Sequence, residues 1–159
     1  SERLIGQVLK QQQVKREEVV LSTKFGYYMP KPGSPPSPDS IAVRDTQWRY
    51  SLHPDVVRSE LLGSLERLQQ EYVDVLYVHS PEHYVADLLL RGQEGEEQAA
   101  SPAAIAAEKA KLRTRLCSTF AALEELVSEG KIRAYGVSSN GLAAPASDPA
   151  HLSLDDVME

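Results

Sequence analysis

The sequence is poor in cysteine, in clustered positive charge and in long apolar runs, and each shortage removes a class of protein. A single thiol, Cys117, leaves no intrachain disulfide and no cysteine cluster for a metal, so no metal site is expected and a reducing compartment suits the chain. Seventeen Lys and Arg stand against 23 Asp and Glu, for a net charge of -6, and the basic residues form no block. Nucleic acid and anionic lipid both attract clustered cations, so neither is an expected partner. No apolar run approaches the roughly 20 residues that span a bilayer, and the amino end has no basic segment leading into an apolar one. The expectation is a soluble, cytoplasmic protein.

What is present suits a packed domain. With 159 residues and 42% hydrophobic content, the chain has the size of one modest domain. It starts without Met at "SERLI", where Ser1 is placed to cap a helix whose Leu4, Ile5, Val8 and Leu9 share one face. Near the other end, Ser153 and Asp156 have capping-box spacing, yet the chain stops within about a turn. Truncation at both ends is the expectation from these two features. Cys117 lies inside a helical apolar pattern and is expected to pack there.

Between the ends, elements alternate. The run "VVLSTK" from Val19 to Lys24 reads as a strand covered on both faces. From Pro54, Val57, Leu61, Leu65 and Leu68 recur at helical spacing, and "VDVLYVH" from Val73 to His79 reads as a second strand. Leu112, Leu116, Phe120, Leu123 and Val127 mark another helix that ends at Gly130, before a third strand, "IRAYGV", from Ile132 to Val137. Helix and strand in strict alternation predict right-handed crossovers and a parallel sheet. Three strands cannot close a barrel, so the predicted fold is α/β: a partial (β/α)8 TIM barrel, about its middle half, with an open doubly wound sheet as the alternative that periodicity leaves open. Two long loop insertions are expected, 27–53, rich in Pro, Ser and Gly, and 83–111, acidic and then Ala-rich. The second reads as an exposed loop and helix, or else as a lid over the carboxyl ends of the strands.

Each strand ends on polar chemistry: Lys24, His79, and the trio Ser138, Ser139 and Asn140. Parallel strands bring their carboxyl ends to one face, so these groups are expected to converge. Taken singly, Lys24 reads as a solvated charge, His79 as a loop neighbour and the trio as a polar turn.

The blocks "SERLIGQVLK", "VVLSTKFGY", "SLERLQQEYVDVLYVHSPE" and "ALEELVSEGKIRAYGVSSN" resemble, in order, successive segments of the aldo-keto reductase family. The resemblance implies a (β/α)8 barrel that moves a hydride between a nicotinamide, usually NADP(H), with NAD not excluded, and a small-molecule carbonyl or alcohol. It implies catalytic roles for Lys24 of "STK" and His79 of "YVHSPE", and cofactor-binding roles for Ser138 with Ser139 or Asn140, which match the pair that holds the nicotinamide carboxamide. The chemistry suits these types, because carbonyl reduction needs a proton or strong hydrogen bond at the oxygen where charge develops. An ammonium beside a phenol lowers its pKa, which is the implied role of Lys24.

The family's Asp and Tyr belong to a stretch like "DTA" and "YG" that this sequence lacks, and Tyr27, Tyr28, Tyr72, Tyr77, Tyr84 and Tyr135 stand outside that motif. The motif that grips a 2′-phosphate is missing too, so the resemblance does not separate NADP from NAD. The expectation is therefore an incomplete aldo-keto reductase domain over 1–159, inactive as a fragment of an active parent. The alternatives are a barrel serving as an interaction subunit, like the potassium-channel β-subunits of the same family, and a truncated inactive paralogue.

Overall fold

A computed structural model of the chain describes residues 1–158. Its centre is a parallel sheet of β1 (Ser22–Phe25), β5 (Val73–His79) and β6 (Ile132–Ser138), in the order β1-β5-β6. The alternation of faces along β5 sets the packing. Leu76 and Val78 are fully buried and join Phe25 of β1, Val57, Leu61 and Leu65 of α2 (Pro54–Leu68), and Leu116 and Leu123 of α4 (Pro102–Ser128) in one core. The opposite face carries Ser22, Lys24, Val75, Tyr77, His79, Ala134, Gly136 and Ser138, none of them buried. One face is sealed by helices and the other is open.

Local chemistry explains the element boundaries. The α2 helix starts at Pro54, and His53 caps it by accepting the Asp55 N–H at Nδ1, 3.3 Å away. The α4 helix starts where Ser101 Oγ accepts the Ala104 N–H at 3.2 Å, and the chain leaves it through Gly130 at φ +69°, a conformation that only glycine adopts without strain. At the far end Ser153 and Asp156 complete their reciprocal cap, with Asp156 N donating to Ser153 Oγ at 3.1 Å and Ser153 N to Asp156 Oδ2 at 2.8 Å, ahead of the short α5 (Asp155–Met158).

Four sequence readings need correction. The apolar stripe of α1 (Glu2–Gln11) is not in the core: Leu4, Ile5 and Val8 are exposed, and Ser1 makes no side-chain cap. This helix docks instead through Gly6, so close to the end of α2 that an added Cβ would stand 2.5 Å from the Leu68 carbonyl oxygen. Periodicity marks which residues share a face; it cannot supply what covers them, and β1 is the last strand on that side. For the same reason Val20 is 80% exposed and β1 begins only at Ser22, as an edge strand rather than one covered on both faces. Cys117 is exposed as well, one residue past the buried Leu116 on the outer side of α4.

The fourth correction concerns the first of the two insertions, expected as a loop without regular elements. Residues 27–53 hold a small antiparallel sheet of β2 (Tyr27–Tyr28), β3 (Ile41–Ala42) and β4 (Arg49–Tyr50), in the order β2-β4-β3. Residues 83–111 are mostly helical: α3 (His83–Gln93), a 3₁₀ turn over Glu97–Ala100, and the first turns of α4. The Ala-rich run has the strongest intrinsic helix preference, and Ser-Pro supplies its start. Tyr84 and Val85 anchor α3: both are buried, the Tyr84 hydroxyl accepts the Leu52 N–H at 3.1 Å, and the Arg115 guanidinium lies 4.1 Å over its ring. That is the loop-and-helix reading, held down at its first turn.

Candidate active site

The carboxyl ends of the three strands meet on the open face. Parallel register pairs Lys24 with Tyr77 and His79 with Ser138, so Lys24, His79 and Ser138 all point to the side away from the helices. Lys24 Nζ reaches across β5 and donates to Ser138 Oγ at 3.0 Å. Beneath that span the Tyr77 ring lies across Gly136, its Cε1 within 3.2 Å of where a Cβ would be, so Tyr77 packs on the sheet as an aromatic.

His79 is the last residue of β5, and its backbone is fixed by the Tyr50 hydroxyl, which donates to the His79 carbonyl at 2.8 Å. Its ring stands edge-on to Tyr27, centroids 5.2 Å apart, and Tyr27 in turn faces His83, with 3.4 Å between the hydroxyl and Nδ1. The imidazole nitrogens of His79 make no hydrogen bond among the described residues. Burial pushes the His79 pKa down and the Lys24 charge pushes it further, against the opposing pull of Glu82. The ring is therefore neutral near pH 7, with one N–H to donate and one nitrogen to accept. A cleft of about 520 Å³ opens beside it, with Ile5, Thr23, Lys24, Leu68 and His79 among its walls.

The trio after β6 divides its work. Ser139 Oγ donates to Glu82 Oε2 at 2.7 Å and accepts the Leu142 N–H at 3.3 Å, so its hydroxyl is consumed in bracing the turn. Asn140 donates its backbone N–H to Glu82 Oε1 at 3.0 Å, while its exposed side-chain amide bonds to nothing among the described residues. Ser138 Oγ accepts from Lys24 and keeps its own proton.

Comparison with known proteins bears on what this site is for. The aldo/keto reductase family model matches residues 1–147. The chain belongs to that family of oxidoreductases. It is 32% identical over 139 residues to the NADH-specific methylglyoxal reductase of Escherichia coli, covering 87% of this chain and 33% of the relative. It is 29% identical over 144 residues to the NAD(P)H-dependent D-xylose reductase of Kluyveromyces lactis, covering 85% and 34%. Among solved structures, the holo form of an aldo-keto reductase from Bacillus halodurans superposes with a TM-score of 0.51 at 24% identity, over 87% of this chain and 32% of the other. An aldo/keto reductase from Brucella melitensis gives the same TM-score, 0.51, at 15% identity, over 99% and 37%. These neighbours are (β/α)8 barrels, and the sheet of this chain is part of that fold. The chain spans about a third of the length of the curated relatives it matches.

The residues present fit a nicotinamide, the cofactor of the reductases to which the chain is similar. A carboxamide offers one acceptor and two donors; the Ser138 hydroxyl and the Asn140 side-chain amide have the complementary capacity unspent. Ser139 has less to offer, because its proton is spent on Glu82 and one lone pair on the Leu142 N–H.

Sequence reasoning missed Glu82, and with it the aromatic surroundings of His79. Glu82 stands three residues beyond His79 in the same block, 9% exposed, with the Ser139 hydroxyl and the Asn140 and Gly141 N–H groups on its carboxylate. The signal that existed was its place immediately after a strand and a proline; its burial is a product of the tertiary fold.

Proposed function

We propose that this chain carries part of the active site of an NAD(P)H-dependent reductase acting on a small-molecule carbonyl or alcohol, with Lys24 and His79 as catalytic residues. The observation that supports it best is the Lys24–Ser138 hydrogen bond across β5, which draws a cation, a neutral imidazole and carboxamide-type partners to one end of an open sheet face. A bound nicotinamide supplies the hydride. Ser138 and Asn140 hold its carboxamide; Ser139 serves them from behind, through the turn. NADP(H) is the proposed cofactor, and nothing among these residues selects it over NAD(H).

His79 acts at the substrate oxygen. A neutral imidazole donating a hydrogen bond from its N–H there stabilises negative charge as it develops, and the proton that turns the alkoxide into the alcohol comes from a separate acid beside Lys24. Lys24 presents a fixed positive charge on the same face, which favours the anionic form of any acid placed beside it, a phenol included. Among the described residues no tyrosine hydroxyl bonds to Lys24, and the sheet has open edges on both sides. By themselves the 159 residues are accordingly proposed to be inactive.

The test is NADPH oxidation by the complete gene product with an aromatic aldehyde, for the wild type, Lys24→Met and His79→Ala. A single general acid or its electrostatic partner contributes about 10²–10⁴-fold, so a loss of that order in kcat is expected for each variant. Turnover untouched by both substitutions rules out the assigned roles.

A further inference from the structure

The turn after β6 is not held by its own backbone alone. Glu82 reaches it from the far end of the β5–α3 connection, and its nearly buried carboxylate takes three donors: Ser139 Oγ at 2.7 Å, Asn140 N at 3.0 Å and Gly141 N at 3.3 Å. The connection that delivers Glu82 is itself constrained. Ser80 sits at φ +52°, a left-handed conformation that is strained for a non-glycine residue. It is fixed there by Ser80 N donating to the Ser138 carbonyl at 2.8 Å and by its own carbonyl accepting the His83 N–H at 2.9 Å. A strained residue pinned to β6 thus aims a buried carboxylate at the residues that follow β6.

We infer that Glu82 is a positioning residue: it clamps the turn from Ser139 to Gly141 against the end of β5 and so sets where the Asn140 side chain stands. The inference rests on the reading of Asn140 as a nicotinamide-carboxamide partner. It explains why two serines precede the asparagine, since Ser138 faces the site while Ser139 turns back to the clamp. It also sets a chemical requirement. Two of the three donors are backbone N–H groups and the third is a hydroxyl that can reverse its direction, so the position demands an acceptor oxygen with the reach of Glu, and not a charge.

The experiment is a double-mutant cycle on NADPH affinity, read by fluorescence titration of the complete gene product, with circular dichroism confirming that each variant is folded. Losing a buried, charge-assisted set of hydrogen bonds predicts that Glu82→Ala raises Kd about tenfold. Glu82→Gln keeps an amide oxygen for the two N–H groups and an NH₂ for Ser139 Oγ, and is expected to stay within about threefold of wild type. In an Asn140→Ala background Glu82→Ala should add less than about twofold, because the clamp then has no side chain to place. Equal damage from Glu82→Gln and Glu82→Ala would make the effect one of charge and overturn the inference. So would the full effect of Glu82→Ala persisting without the Asn140 side chain, or no effect where Asn140→Ala has one. If Asn140→Ala itself leaves Kd unchanged, the reading of Asn140 falls, and the inference with it. Should Glu82→Ala fail to fold, Ser139→Ala removes one arm of the clamp, with an expected rise in Kd of about threefold that vanishes in the Asn140→Ala background.

Discussion

Replacing Asp74 with Asn perturbs the end of the sheet opposite the site. Asp74 is 7% exposed; its Oδ2 accepts from Arg16 Nη2 at 2.6 Å and from Leu21 N at 2.8 Å, and its Oδ1 from Arg133 Nη1 at 3.1 Å. Arg16 is equally enclosed, stacked 3.9 Å over Tyr72, and it donates to the carbonyls of Val19 and Tyr72. One carboxylate therefore ties the approach to β1 to both neighbouring strands. Asn keeps a single acceptor and turns an NH₂ toward either Arg16 or the Leu21 N–H. Removing one partner of a buried pair costs about 3–5 kcal/mol, and the acceptor that Asn retains lowers the expected loss to about 2–4 kcal/mol. The exposed Arg133 adds little to this.

The same substitution has a defined pH signature. Burial raises the Asp74 pKa, but the Leu21 N–H and the Arg16 guanidinium outweigh it and hold the carboxyl below its ordinary 3.8. A depressed carboxylate stabilises the fold fully above the unfolded value of about 3.9 and loses that contribution as pH falls through the folded one. Urea unfolding followed by circular dichroism should show wild type and Asp74→Asn far apart at pH 7 and converging below about pH 4. A gap under about 1 kcal/mol at pH 7, or one that stays constant as pH falls, refutes the reasoning.

Three further outcomes follow from packing. Gly6→Ala drives a Cβ into the Leu68 carbonyl, which backbone cannot yield, and should lower stability by about 1–3 kcal/mol in a thermal melt while exposing the α1–β1 connection to protease. Tyr84→Phe leaves the buried Leu52 N–H without its acceptor and should cost about 1–3 kcal/mol in urea unfolding. Cys117, on the outer side of α4, should react with a thiol reagent in the native protein as fast as it does in urea; strong protection would mean that α4 is rotated from the orientation described.

Legibility in the sequence varied with what each feature depends on. The span of β5 and the inward stripe of α2 were readable because their apolar periods are local and unbroken. The meeting of Lys24, His79 and Ser138 was readable from topology alone, since parallel strands share a carboxyl end. Exposure was not readable: Leu4, Val8 and Val20 have core-like patterns, and only the position of β1 at the sheet edge leaves them uncovered. The division of labour between Ser139 and Asn140 was equally hidden, because it is decided by Glu82, 57 residues from Ser139 in sequence and brought close by the left-handed turn at Ser80.

The measurement that bears most directly on the account is NADPH titration of the complete gene product by fluorescence, wild type against Asn140→Ala. The account predicts saturable binding that weakens about tenfold when the side-chain amide is removed, as expected for losing a hydrogen-bonding partner of a bound carboxamide. Absence of binding by the wild type, to NADPH and NADH alike, contradicts it.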